Sequence, residues 1–194
     1  MKNINGGYLY HIVRYKKLNL GQKLHFGGQP NYFCRYMNSR DFTTGGIDLN
    51  SMLINKEFDE LNTEEEKCLK SYVYESCLMV RELVFENVRL REFPDLPSRL
   101  ECLYCAETLG EARRWIPILL RMDKVEKPLQ IVKLKASGKL FKGDGNLVIR
   151  NTNSIDCKIE MARKYWNQET TSENIELLFV GDVEVVDIIE DLMQ

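Results

Sequence analysis

Apolar positions recur along this chain with two different periods. Between Leu61 and Leu90 the period is helical: Leu69, Val73, Cys77, Val80 and Val84 fall at steps of four, four, three and four, which draws one apolar stripe on a helix. Thr63 and Glu66 have capping-box spacing at its start. Glu64 to Glu66 suit the positive end of a helix dipole, and Pro94 and Pro97 end the run. The stripe reads as core packing, with Tyr72, Tyr74, Arg81 and Arg89 able to reach the surface.

Elsewhere the period is two. Tyr8 to Arg14 is rich in aromatic and β-branched residues and predicts a short strand after a flexible, polar start. Ser98 to Ala106 predicts a second strand, and Thr108 with Glu111 repeats the capping-box spacing where the next helix begins. Pro117 should kink or restart that helix. Leu129 to Ala136 alternates, Ser137-Gly138 reads as a turn, and Leu140 to Asn146 as a short strand and tight loop. Ser154 is a candidate N-cap for a helix running to Trp166, with Ile155, Ile159, Ala162 and Trp166 on one side. Two strands are expected around Gly181-Asp182 in the tail. Asn19 to Asn50 is dense in Gly, Asn and Pro and predicts long loops. Its aromatic group, Phe26, Tyr32, Phe33 and Tyr36, would form either a contact patch or a cover folded back on a cleft.

The 194 residues suit one domain spanning 1–194, with no internal repeat and no dividing linker. The resulting fold class is α+β, a mixed β-sheet split around a cleft with flanking helices. Composition narrows the function. A formal charge of -2 and 44% apolar residues argue against a disordered chain and against a general nucleic-acid or membrane-surface binder. No apolar run approaches the ~20 residues that cross a bilayer, and no secretory signal is visible, so a cytoplasmic location is expected. The six cysteines then read as reduced thiols. Cys102 and Cys105 have the spacing of a zinc or redox pair, but three residues apart on a strand they face opposite ways. No metal is expected.

The phosphate-loop, dinucleotide-turn, nucleophile-elbow and zinc-helix signatures are all missing. Of the two histidines, His25 reads as solvated. His11 sits inside an apolar strand, where an unpaired imidazole is costly. It is either a core histidine satisfied by a backbone carbonyl or a hydrogen-bond donor in a pocket.

Tyr10-His11 in a first strand resembles the opening strand of the ADP-ribosyltransferase fold. Leu103-Tyr104, Ala106, Leu109, Ala112 and Trp115 resemble that fold's second motif, an aromatic-bearing strand and a short helix. Ile175 to Val180, with a glutamate opening the strand and β-branched residues from Val183 to Ile189, is similar to the third. His11 is followed by Ile12-Val13-Arg14 where the family pattern continues to a Gly-Thr pair. As a whole the chain, including Gly143-Asp144 and Tyr165-Trp166, also resembles a family of uncharacterised bacterial domains.

The resemblance implies NAD as a substrate, with no metal. His11 and Tyr104 would bind it, the imidazole donating to the ribose or pyrophosphate edge and the tyrosine stacking on the nicotinamide ring. Glu176 would be the catalytic carboxylate, ahead of Glu184 in the following strand. A carboxylate on the ribose 2′-hydroxyl would stabilise the oxocarbenium character that develops as the nicotinamide leaves. The acceptor of ADP-ribose, a protein or another molecule, is not specified. Two alternatives stand beside this transferase: a non-catalytic interaction module of the same fold, and an enzyme acting on a related nucleotide.

Overall fold

A computed structural model describes residues 1–39, 43–44, 47–122, 130–149 and 154–192. Its strands are β1 (Lys2–Val13), β2 (Lys23–Phe26), β3 (Thr43–Thr44), β4 (Ile47–Asp48), β5 (Leu103–Cys105), β6 (Gln130–Asp144) and β7 (Ile175–Asp191). Its helices are α1 (Tyr32–Ser39), α2 (Leu49–Asn55), α3 (Thr63–Glu92), α4 (Leu109–Met122), α5 (Gly145–Ile149) and α6 (Ile155–Trp166).

The architecture is α+β. One sheet runs β1-β6-β7-β2, β5 shares the outer edge of β7 with β2, and β3 and β4 form a separate hairpin. Every strand pair among the described residues is antiparallel, so the expected mixed sheet is not found. None of the main sheet's pairs is a tight hairpin: β6 reaches β7 through α5 and α6, and the other pairs join strands distant in sequence.

β6 and β7 pair along nearly their whole lengths, with Gly138 opposite Gly181 at mid-ladder. The two expected turns, at Ser137-Gly138 and Gly181-Asp182, are therefore places where long strands run on. A Cβ at Gly138 would lie 2.2 Å from the Val180 carbonyl oxygen and 2.9 Å from the Gly181 Cα. Gly181 has a φ of 140°, which a side chain would resist. The glycines permit a close approach of two backbones, which a sequence pattern cannot tell from a turn. Gly138→Ala should cost about 2–4 kcal/mol by prising the ladder apart. Gly110→Ala, whose Cβ would meet only the Thr108 hydroxyl at 4.0 Å, should change stability by under ~1 kcal/mol. Urea denaturation of both variants checks this.

The alternation of β7 sends Leu177 and Phe179 to one face and Leu178 to the other. The first face packs with Leu9, Val132, Leu134 and Val183. The second, which carries Phe141 of β6, is covered by α3 and α6 through Phe85, Tyr165 and Trp166. Beyond β5, Ala106 exchanges two backbone hydrogen bonds of 2.8 Å with Tyr10. β1, β6, β7 and β5 thus close on one another through a single bridge, and past that bridge β1 and β5 part.

Helix starts follow the sequence closely. Asn62 caps α3 and shares a reciprocal box with Glu65, one residue before the expected Thr63–Glu66 pair. Thr108 and Glu111 cap α4 as expected, and α4 continues through Pro117. The Ser154 hydroxyl accepts from the Cys157 amide at 3.3 Å. The buried face of α3 departs from expectation. It is Leu78, Arg81, Glu82, Phe85, Val88 and Arg89, whereas Val73 is 52% exposed. Arg81 and Arg89, expected at the surface, lie inside because carboxylates and carbonyls there receive them. Ile155 is likewise exposed, while Ala162 and Trp166 are buried.

The region from Asn19 to Asn50 is more structured than its composition suggests, holding β2, α1 and the β3–β4 hairpin. Gly45-Gly46 and Leu129 lie outside the described residues. The polar start is strand from Lys2, paired with β6. No helix among the described residues is long and apolar enough to cross a membrane.

Candidate functional site

A cavity of about 390 Å³ opens where β1 and β5 part. Residues 10–16 line one side and 102–106 another. Leu24, Phe26, Asn31, Tyr32 and Phe33 also line it, so residues 24–33 fold back over the cleft, while Tyr36 is not among the lining residues and donates its hydroxyl to Glu75. The Tyr32 ring stacks on Tyr15 at 3.6 Å. Asn31 anchors this cover: its side-chain amide donates to the Arg99 and Cys102 carbonyls at 2.9 and 3.1 Å, and its oxygen accepts from the Cys34 amide at the start of α1.

His11, Tyr104 and Glu176 all line this one cavity, despite their separation in sequence. They are not equivalent in place. Tyr104 and Glu176 lie on the face covered by α3 and α6. His11 shares its side of β1 with Leu9 and Val13, and is joined to the others through the backbone: its Nδ1 lies 2.8 Å from the Tyr104 carbonyl oxygen. A carbonyl only accepts, so in the neutral ring the proton sits on Nδ1 and Nε2 is an acceptor. Burial lowers the His11 pKa, outweighing the Tyr104 hydrogen bond, and Arg14 lowers it further. The imidazole is therefore neutral near pH 7 and accepts, rather than donates, toward the cavity. The core reading of His11 holds, since a carbonyl satisfies it; it also lines the pocket, but its one N–H is spent on that carbonyl, so the expected donor role is corrected to that of an acceptor.

The polar floor of the cavity is built on a residue that the sequence motifs do not contain. Arg99, 3% exposed, donates from Nε to Glu82 Oε2 at 2.8 Å and from Nη2 to Glu82 Oε1 at 3.2 Å. Its Nη1 donates to the Tyr165 hydroxyl at 2.9 Å and to Glu176 Oε2. The Tyr165 hydroxyl in turn donates to Glu176 Oε2 at 2.7 Å. Arg81 completes the group, donating to Glu82 Oε1 at 2.7 and 3.0 Å. Two guanidiniums thus face two carboxylates. Tyr104 lies under the Arg99 guanidinium, 5.4 Å from its carbon, and donates its hydroxyl to the Arg99 carbonyl at 2.8 Å.

Burial pushes the Tyr104 and Tyr165 phenols up, and the Glu176 charge raises Tyr165 further, so both stay protonated donors. Burial also works against charge on Arg99, but Glu176 and Glu82 overcome it and hold its proton more firmly. For Glu82, burial disfavours the carboxylate, yet Arg99 and Arg81 bring its pKa down to about 2. A folded-state value below the unfolded one stabilises the fold above about pH 4.5, and that stability is lost as pH falls toward 2. The displacement corresponds to about 3 kcal/mol. Urea midpoints measured from pH 6 to pH 2 should fall steeply below pH 4.5 in the wild type, and less steeply in Glu82→Gln.

The approach of Glu176 to this group is held in place. It opens β7 opposite Gly143 in β6. A Cβ at Gly143 would lie 2.2 Å from the Tyr165 ring, so glycine there lets Tyr165 reach Glu176. Next to it, Asp144 is no tight loop but the end of β6. It accepts from the amides of Asn146 and Thr171 and the hydroxyls of Thr171 and Ser172, fixing the turn before β7. Trp115 on α4 donates its indole N–H to the Ile175 carbonyl at 3.1 Å. Glu184, the alternative carboxylate, is not among the cavity's lining residues.

His25 is exposed and pairs with Asp182 at 2.7 Å. Cys34, Cys68, Cys77, Cys102, Cys105 and Cys157 are free thiols. Cys102 and Cys105 enter different core clusters; the strand expected from Ser98 to Ala106 is only Leu103–Cys105, so Cys102 sits in the turn before it and the separation does not come from strand alternation. Among the described residues no group of His, Cys, Asp and Glu side chains could hold a metal ion.

Antiparallel strands, a long covering helix and a cavity with a paired polar floor define an α+β protein. Residues 9–191 match the family described as "Protein of unknown function (DUF2441)", and the chain belongs to that family. No curated protein matches it.

Proposed function

We propose that the cavity binds NAD as a substrate and that the protein is an ADP-ribosyltransferase-like enzyme, passing ADP-ribose to an acceptor. The observation that carries this reading is the convergence of His11, Tyr104 and Glu176 on one cavity. The volume of about 390 Å³ lies within the range of small-molecule sites, and the walls mix aromatic surface with a few polar atoms.

In this reaction the bond between ribose C1′ and the nicotinamide nitrogen breaks, and its electron pair leaves with neutral nicotinamide. The acceptor's lone pair forms the new bond to C1′, and the acceptor loses a proton. Glu176 would hold the ribose 2′-hydroxyl and oppose the positive charge developing on the sugar. His11 Nε2, as an acceptor, would take a ribose hydroxyl. The Tyr104 ring would pack against the nicotinamide.

Calorimetric titration with NAD tests this. The wild type should bind, and Tyr104→Ala should bind about tenfold more weakly through loss of an aromatic contact. Absence of both binding and nicotinamide release at millimolar NAD overturns the reading. A second reading is favoured by the Arg99–Glu176 pair, which engages one carboxylate oxygen in advance: a site that binds the nucleotide without turning it over. Binding by the wild type with no nicotinamide release would select it.

A further inference from the structure

We propose that Arg99 is the positioning residue of this cavity, and that Glu82 on α3 acts through it to set the geometry of Glu176 and Tyr104. Its consequence for NAD rests on the proposed function; the coupling itself does not.

The argument starts from the shape of a guanidinium. It is planar, and its donors form a rigid fork. Glu82 engages Nε and Nη2 together, at 2.8 and 3.2 Å. Once that edge is fixed, the direction of Nη1 is fixed too, and Nη1 is the atom that donates to Glu176 and Tyr165. Arg81 also donates twice to Glu82 Oε1, the oxygen that Arg99 Nη2 meets, which leaves the carboxylate little freedom to turn. The same residue controls both ends of Tyr104. The guanidinium lies over the ring, and the Arg99 backbone carbonyl takes the hydroxyl. That carbonyl also takes Asn31, which anchors the cover of the cavity.

One buried residue therefore links the carboxylate, the aromatic platform and the cover to the C-terminal half of a thirty-residue helix. A lysine in its place would keep the charge but lose the fork, because an ammonium is a point charge that can satisfy Glu82 without aiming a donor at Glu176. If the group serves only to keep the chain folded, such a change would alter stability and leave the site's chemistry alone.

Two measurements test this. The first is a double-mutant cycle in urea with Glu82→Gln, Glu176→Gln and the double variant. Glu82 and Glu176 are joined through Arg99, so the double variant should lose little more than the worse single variant. Additive losses would overturn the proposal, whatever the ligand. The second uses NAD. Arg99→Lys, at a temperature where it is folded, should release nicotinamide about tenfold or more slowly at saturating NAD, since small misplacements of a reacting group are costly. Glu82→Gln should show the same loss and serves where Arg99→Lys does not fold. Wild-type turnover in folded Arg99→Lys or Glu82→Gln would overturn the proposal. If the wild type neither binds nor cleaves NAD, the proposed function falls and the cycle alone decides the coupling.

Discussion

Glu176→Gln is expected to bind NAD within a few-fold of the wild-type affinity and to release nicotinamide at least ~100-fold more slowly, the loss typical of removing one electrostatic partner of a transition state. Glutamine has the size of glutamate and keeps an oxygen to accept from Arg99 and Tyr165, which both meet Oε2. What it lacks is the negative charge that opposes an oxocarbenium-like sugar. The effect should therefore fall on turnover and not on binding. Calorimetry gives the affinity, and chromatography of released nicotinamide gives the rate. Equal turnover in the variant would remove Glu176 from the catalytic role.

Arg99→Met is expected to cost about 3 kcal/mol, in the range for removing one partner of a buried ion group. Methionine fills much of the volume and spares a large cavity. It leaves Glu82, 2% exposed, with Arg81 alone, and Glu176 with the Tyr165 hydroxyl. It also removes the cation beside the Phe85, Tyr104 and Tyr165 rings. Pairing Arg99→Met with Glu82→Gln should recover part of the loss, because the second change removes the under-compensated carboxylate. Urea midpoints for the single and double variants decide it. A double variant less stable than Arg99→Met would mean that Glu82 is held chiefly by Arg81.

His11 and the helix caps were legible because local signals mark them, whereas Tyr104 and Glu176 were picked out only by the family resemblance. His11 stood out as an imidazole in an apolar strand, and the Nδ1 contact with the Tyr104 carbonyl is the ordinary way to satisfy one. The caps at Ser154 and Thr108 were legible because a cap is a contact within four residues. Arg81, Glu82 and Arg99 were not, because hydrophobic periodicity sees a charged residue as a solvent position. The group hangs on Arg99, whose partners are distant in sequence: Arg99 to Glu176 spans 77 residues, to Tyr165 66 and to Glu82 17. The apolar stripe on α3 misled for the same reason. The face that turns inward is the one with ion partners, and Val73 and Val80 are left largely outside. Tyr165 had one faint signal, its place in the wider likeness to uncharacterised domains, but nothing local pointed to Glu176.

By itself the sequence determined the α+β class, the long helix before Pro94 and the alternating strands of the second half. Each follows from periods, caps and breakers that act over a few residues. Only the tertiary structure decided that Gly138 and Gly181 are close approaches inside continuous strands, that the sheet is antiparallel, and that residues 24–33 cover the cavity. Only it set Arg99 between Glu82 and Glu176. These depend on which distant backbones and charges meet, and a buried guanidinium is tolerable only where the fold brings carboxylates to it.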